Sequence, residues 1–443
     1  MKLSSKTRLS FLVLILLVGA VGVYATTISP SGVYDTPWGN FTVGVKTPKI
    51  TLNGVSRTSW ITSEVPEISD YVITGSGGTY IVYDTSGTNY TTNSFSNAGN
   101  WVMGNLTGTR RQTVYFRGTF SLTTAPISIP DWVTLDGYAA TIDLAANIDA
   151  VFVSEGYLAE NQRSDYVIIR GFDMDGNKAS RTTGTGIKGC FFNGQFYDLR
   201  IDRFSDYGID IESYDGTNRG KVEIYQCEIG SGPTGQGNEM GGVKLSDNGY
   251  NTADSWIYAC RIQNNGNWQI IIENGATHRI GPTNHFAGWA DAGSDECGGI
   301  YIGPWEDSTS PDVDKIQIYD NHAENLQKQF VYVNASTGAF SDAIMITNNN
   351  VYDCGRSGTQ TIVGLIQVNS TGTGRSRGGI IMGNTFHSEQ VQKPKYVFCL
   401  GGAATDDYVV LGNVYWAGAY DGASWYVDDG GGTSDIDHNV EVT

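Results

Sequence analysis

Between Val151 and Tyr426 the chain keeps returning to one apolar-x-apolar phrase, and each return is followed by a second phrase of different spelling. The first phrase reads Val151-Phe152-Val153, Ile209-Asp210-Ile211, Val243-Lys244-Leu245, Ile270-Ile271-Ile272, Ile300-Tyr301-Ile302, Val331-Tyr332-Val333, Ile366-Gln367-Val368 and Phe398-Cys399-Leu400, with a weaker copy at Ile187. Successive copies start 22 to 36 residues apart. That period marks a solenoid or repeat array. The second phrase places Cys or Asn three residues after an aliphatic one: Cys227, Cys260, Asn321, Asn349, Asn384, Asn413 and Asn439.

Period-2 alternation over a few residues, bounded by Gly, Asn, Asp and Ser, specifies short half-buried strands. Strand phrases recurring in constant order stack if each turn of chain lies on the last. The economical fold is all-β: a right-handed, single-stranded parallel β-helix of about nine or ten coils over residues 93–443. An open solenoid end exposes core and strand edges. The near-helical spacing of Trp101, Val102, Met103 and Leu106 therefore suggests a short N-terminal capping helix over Phe95 to Leu106. Residues 26–92 lack the period and read as a β-rich lead-in or linker.

Residues 1–25 carry Lys2, Lys6 and Arg8 ahead of the apolar run Leu9 to Ala25, the pattern of a signal peptide or, uncleaved, an N-terminal anchor. Secretion or display at the cell surface is expected, with membrane contact only through that segment. Removing it takes away three positive charges and no negative ones, moving the formal net charge from −18 to −21. Such a surface avoids nucleic acid and repels polyanionic glycans unless a divalent cation intervenes. Sequons at Asn40, Asn89, Asn105, Asn334 and Asn369 suit a glycosylated exported protein. Cys227 and Cys260 share one ladder position on neighbouring coils, as a buried free pair or a disulfide. No Cys-x-x-Cys or clustered Cys/His spacing calls for a metal, and the five histidines form no constellation in the sequence.

The run Val114-Tyr-Phe-Arg-Gly-Thr-Phe followed by Ile127-Ser-Ile-Pro-Asp-Trp-Val-Thr-Leu-Asp-Gly resembles the opening coils of the pectate-lyase-like superfamily, and the Ile-x-Gly-Asn phrases at Asn384 and Asn413 resemble its later repeats. The resemblance implies the β-helix fold over about residues 93–443 and leaves activity open among lyases, hydrolases, epimerases, tailspikes and non-catalytic surface proteins. The chain departs from the enzymes of that superfamily. It lacks the Asn-Thr-Asp, Asp-Asp, Gly-His-Gly and Arg-x-Lys series of polygalacturonases, and the Trp-x-Asp-His phrase of pectate lyases survives only as an echo in Asp435-Ile-Asp437-His438.

Alternation turns the phrase into a map. Its outer residues point inward, so the middle residue and the one after the phrase point outward. The outward rows carry Asp210, Glu212, Lys244 and Glu273 on early coils and Tyr301, Trp305 and Tyr332 on later ones. Asp210 and Glu212 stand roughly 6.5–7 Å apart along a strand, the separation used in inverting glycoside hydrolysis. Lys244 offers instead the cation or base of a lyase, and the aromatic residues offer stacking surfaces for sugar rings. Cross-strand Asp, Lys and Glu neighbours also stabilise sheets without any chemistry. Asp173 and Asp175 resemble the start of a calcium loop without its later ligands. A corner turn is expected there, with no cofactor required and Ca2+ an option.

These features support a polysaccharide-binding, and cleaving, hydrolase or lyase. The rival is a non-enzymatic adhesive, filament or virion protein that uses the solenoid as a stiff spacer and self-associates. Glycans on Asn334 and Asn369 would cover the later half of the face and favour the rival.

Overall fold

In the computed structural model the described residues are short strands within 34–57 and then residues 70–442, except 85–86, 215–216, 218, 231–236, 246–251, 289–296, 306–311, 337, 357–362 and 430–433. The chain divides into two units, Met1–Glu67 and Ile68–Thr443. The first contains two antiparallel hairpins, Tyr34–Thr36 with Gly39–Phe41 and Ile50–Leu52 with Val55–Arg57. The expected signal or anchor segment at 1–25 lies outside the described residues. Among the described residues no helix is long and apolar enough to cross a membrane.

The second unit is the solenoid. Its first sheet is parallel and eleven strands deep, from Ile127–Ile129 to Tyr426–Asp428. That is at least one coil beyond the expected nine or ten, because short strands at both ends add rungs. A six-stranded sheet runs from Thr252–Ala253 to Thr405–Asp406 along the later coils. The largest sheet, called the second sheet below, runs from Tyr71–Ser76 to Val440–Val442 and takes two short strands from most coils, joined at a corner. The expected boundary at 92/93 falls inside this unit. Tyr71–Ser76, Thr79–Asp84 and Gly87–Thr92 form an antiparallel meander whose first strand pairs in parallel with Gln112–Leu122.

Helix α1 (Phe95–Asn105) begins at Ser94, whose side chain accepts a hydrogen bond from the Asn97 amide. An N-cap of this type satisfies an otherwise orphaned amide. Phe95, Ala98, Val102 and Met103, at helical spacing, form its buried side. The Phe95 ring centroid lies 4.5 Å from that of Phe120 and 5.7 Å from that of Tyr80.

The corner of the second sheet explains the Cys/Asn phrase. The residue just before the ladder position adopts a left-handed conformation at Gln226, Ala259, Asp320, Asn348, Gly383, Gly412 and His438, with φ between 52° and 68°. This bends the chain at the corner and leaves the next side chain able to reach the neighbouring coil. Each ladder amide Nδ2 then donates to the Oδ1 of the next coil: Asn284 to Asn321 at 3.0 Å, and Asn321 to Asn349, Asn349 to Asn384, Asn384 to Asn413 and Asn413 to Asn439 at 2.9 Å. Asn284 is an addition, hidden in the sequence because Ile280-Gly-Pro-Thr-Asn284 carries an extra residue. Cys227 and Cys260 continue the same position, and all six cysteines are buried free thiols. His438, in the lyase-like echo, is itself a corner residue.

Inside, the aliphatic residues of the first sheet form a continuous column with the second-sheet residues. Each fully buried side chain contributes on the order of 1.5–3 kcal/mol. One expectation shifts by a residue. Phe152, not Val151 or Val153, pairs with the inward Ile187, so Val153 belongs to the outward row.

Candidate functional site

The outward row of the first sheet runs in register through Val153, Lys188, Asp210, Lys244, Ile271, Tyr301, Tyr332, Gln367, Cys399 and Val427. The order from Lys188 to Cys399 matches the sequence map. Its exposure does not. Asp210 is 3%, Lys244 5%, Glu273 1% and Tyr301 5% exposed, so these outward side chains are buried.

Lys244, Glu273 and Tyr301 belong to or pack against a second apolar cluster on this face, formed by Tyr207, Trp268, Ile271 and Tyr301 with Met240, Trp305 and Tyr332 packed against it. Tyr207 and Trp268 open the strands Tyr207–Ile211 and Trp268–Ile272, just ahead of the repeated phrase, and were therefore missed in the sequence. Glycine beside Trp268 is required. A Cβ at Gly298, its register neighbour, would lie 2.2 Å from the indole. Trp305 reaches back over the rungs, its Nε1 donating to the Tyr207 hydroxyl at 3.0 Å. Tyr301 donates its hydroxyl to the Pro304 carbonyl at 2.6 Å, and its ring packs 5.5 Å from Trp268 and 5.0 Å from Trp305. Half-buried Tyr332 sits 6.1 Å from Trp268. The aromatic residues proposed as sugar platforms do converge, but Tyr301 serves packing, and only Trp305 and Tyr332 keep partial exposure.

The charged residues fall into two groups. Lys244 Nζ lies 3.5 Å from Glu273 Oε2 and 5.2 Å from the centre of the Tyr207 ring, while Glu273 Oε1 accepts from the Trp305 amide at 3.3 Å. This is a buried ion pair tied into the aromatic cluster. The other group is Lys188, Asp210 and Glu212, with Lys188 Nζ 3.7 Å from Glu212 Oε1 and their side chains 26% and 17% exposed. Lys188 stands in the outward row but was not singled out from sequence, where it looks like any solvated strand charge.

Burial and the Asp210 charge push the Glu212 carboxyl from 4.5 up to about 8, against the opposing pull of Lys188 and Lys244. A carboxyl beside a second carboxylate in a poorly hydrated site keeps its proton. Lys188 behaves in the opposite way. Burial alone would lower it, but Asp210 and Glu212 outweigh burial and hold it as a cation.

A pH signature follows. His278 is fully buried, its Nδ1 accepting from the Ser255 amide and its Nε2 facing the Thr252 hydroxyl, both at 3.1 Å, and burial lowers it from 6.5 to about 4. Between pH 4 and 6.5 the unfolded chain binds the His278 proton more tightly, so this group makes stability rise with pH. Between 4.5 and 8 the folded chain holds the Glu212 proton more tightly, so that group makes stability fall with pH. The two oppose below pH 6.5, and Glu212 acts alone above it. Denaturation midpoints are expected to drop between pH 6.5 and 8, by on the order of 2 kcal/mol. Glu212→Gln should flatten that drop, and an unchanged slope in the variant would contradict the assignment.

The other expected sites are accounted for residue by residue. Asn334 and Asn369 are register neighbours on the aromatic face. Asn334 Nδ2 donates to the Tyr301 hydroxyl at 2.8 Å, and the Asn369 side chain hydrogen-bonds Tyr332. Asn105 is exposed at the end of α1. The side chains of Asn40 and Asn89 lie outside the described residues. Asp175 Oδ1 accepts from the Asn177 amide and from Arg203 Nε, both at 2.9 Å, and Asp173 lies 3.8 Å from Arg200. Those aspartates form an arginine-paired corner. Tyr197, Tyr225 and Tyr258 stack along the second sheet at 4.7 and 5.1 Å, with ring planes within 12°. Their faces cover one another, which makes that stripe a ladder of the sheet.

The strand register and the coil corners define a right-handed parallel β-helix. No family model and no curated protein matches the sequence. Solved structures do: the polygalacturonase from Erwinia carotovora ssp. carotovora aligns with a TM-score of 0.52 at 13% identity over 86% of this chain and 98% of that one. The mannuronan C-5 epimerase AlgE6 A-module of Azotobacter vinelandii aligns with a TM-score of 0.49 at 14% identity, over 79% of this chain and 96% of that one. The Dettilon tailspike protein gp208 aligns with a TM-score of 0.42 at 15% identity, over 71% and 62%. At these identities the likeness is one of fold.

Proposed function

We propose that this β-helix protein binds a polysaccharide across the first sheet at the rungs of Lys188, Asp210 and Glu212, and that Glu212 protonates a glycosidic oxygen there. The observation that carries this reading is a carboxyl held neutral up to about pH 8, within reach of solvent, beside an ammonium group and a second carboxylate. A general acid works best when its pKa lies near the working pH. Asp210, two residues earlier and close enough for its charge to act on Glu212, is the proposed partner carboxylate for hydrolysis. Lysine as a lyase base fits less well, because Lys188 is held charged and Lys244 is buried against Glu273. A polygalacturonase shares this fold, which is consistent with a polysaccharide ligand.

Net charge selects among glycans. At −18 the chain repels polyuronates, and the local lysines are already matched by Asp210 and Glu273. A neutral polysaccharide is the proposed ligand. On a panel of immobilised neutral and acidic polymers without divalent cations, the full chain should retain a neutral polymer, and Lys188→Ala should weaken that binding. Silence across the panel would overturn the reading. Burial of Asp210, Lys244 and Glu273 favours a second one, a binding surface without turnover on an adhesive or tailspike-like protein. Retention of a glycan with no released product would establish it.

A further inference from the structure

We propose that His285, His322 and Glu324 bind one divalent transition-metal ion of the zinc class on the outside of the second sheet, clamping two neighbouring coils. His285 lies on the strand His285–Ala287, and His322 and Glu324 lie on the adjacent parallel strand His322–Glu324. Register places His285 beside His322 and Ala287 beside Glu324. Strand alternation sends His322 and Glu324 to the same outer face, with Ala323 fully buried between them.

The donors already converge. His285 Nε2 is 3.0 Å from Glu324 Oε1, His322 Nε2 is 3.5 Å from Glu324 Oε2, and one ligand atom from each residue lies within 4.8 Å of the others. A tetrahedral zinc ion with bonds of 2.0–2.2 Å needs its donors about 3.4 Å apart. The two imidazole ring centroids lie 5.2 Å apart with their planes tilted by 34°.

The donor set selects the ion. Two imidazoles and one carboxylate suit zinc, copper, nickel or iron, whereas calcium and magnesium take oxygen ligands. Three protein ligands leave the fourth position to water, and side-chain exposures of 29%, 41% and 35% leave it open to solvent. The surroundings permit a cation. Arg261, the register neighbour of His285, directs its guanidinium toward Glu228 at 3.9 Å, and the uncharged Asn350 and Tyr352 follow His322 and Glu324. The sequence hid the site because His285 stands 37 residues before His322, one full coil. No short motif spans that gap.

The test is calorimetric titration of chelator-stripped full-length protein with Zn2+ alone, with Ca2+ alone, and with Zn2+ in excess Ca2+. Saturable one-to-one Zn2+ binding that Ca2+ leaves unchanged is expected. Each of His285→Ala, His322→Ala and Glu324→Gln should weaken it by at least about tenfold. Circular dichroism checks that the variants fold, and added Zn2+ should raise the melting temperature of the native protein but not of the double histidine variant. Absence of saturable binding, or Zn2+ affinity unchanged in the double variant, would overturn the site.

Discussion

Asn349→Ala is expected to destabilise the solenoid by about 3–5 kcal/mol, the sum of several buried polar groups losing partners. Asn349 is 1% exposed. Its Oδ1 accepts both the Asn321 backbone amide at 3.1 Å and the Asn321 side chain at 2.9 Å. Its Nδ2 donates to the Ile318 and Thr347 carbonyls, both at 3.0 Å, and to Asn384. Truncation leaves the buried Asn321 backbone and side-chain amides without that acceptor. Because the ladder is continuous from Asn284 to Asn439, the loss interrupts a chain of mutually polarised amides rather than one bond. Asn350→Ala, one residue away and exposed, should change stability by no more than about 0.5 kcal/mol. Urea midpoints of the two variants make the comparison, and a cost near that of Asn350→Ala at both positions would show that the ladder adds nothing.

The fold was legible because a solenoid writes its period into the chain. The row from Lys188 to Cys399 and the Asn row both follow from counting residues, since parallel stacking converts sequence spacing directly into adjacency. Burial of the outward face was not legible. Alternation says which way Lys244 and Glu273 point, not what covers them, and the cover comes from Tyr207 and Trp305, which lie outside the repeated phrase. The difference matters chemically, because desolvation moves Glu212 from an ordinary surface carboxylate to a neutral acid. The skipped Asn284 arises where its phrase carries one residue more than its neighbours, and the offset at Phe152 arises because Val151-Phe-Val153 is apolar at all three positions and does not mark its own inward residue. The meeting of His285, His322 and Glu324 needed the full register across one coil.

The second large effect concerns Glu212 itself. Glu212→Gln keeps the shape and hydrogen-bonding capacity of the carboxyl while removing its transferable proton. Loss of a general acid lowers turnover by about 10²–10⁴-fold. Binding should survive, since Lys188, Asp210 and the rings of Trp305 and Tyr332 are untouched. The most direct measurement is therefore a paired assay of the native chain and Glu212→Gln on the neutral polymer that the native chain retains, following new reducing ends and bound glycan together near pH 6. The expected result is product release by the native chain and equal binding with release reduced at least about a hundredfold in the variant. Equal release by both would contradict the role of Glu212 as the acid.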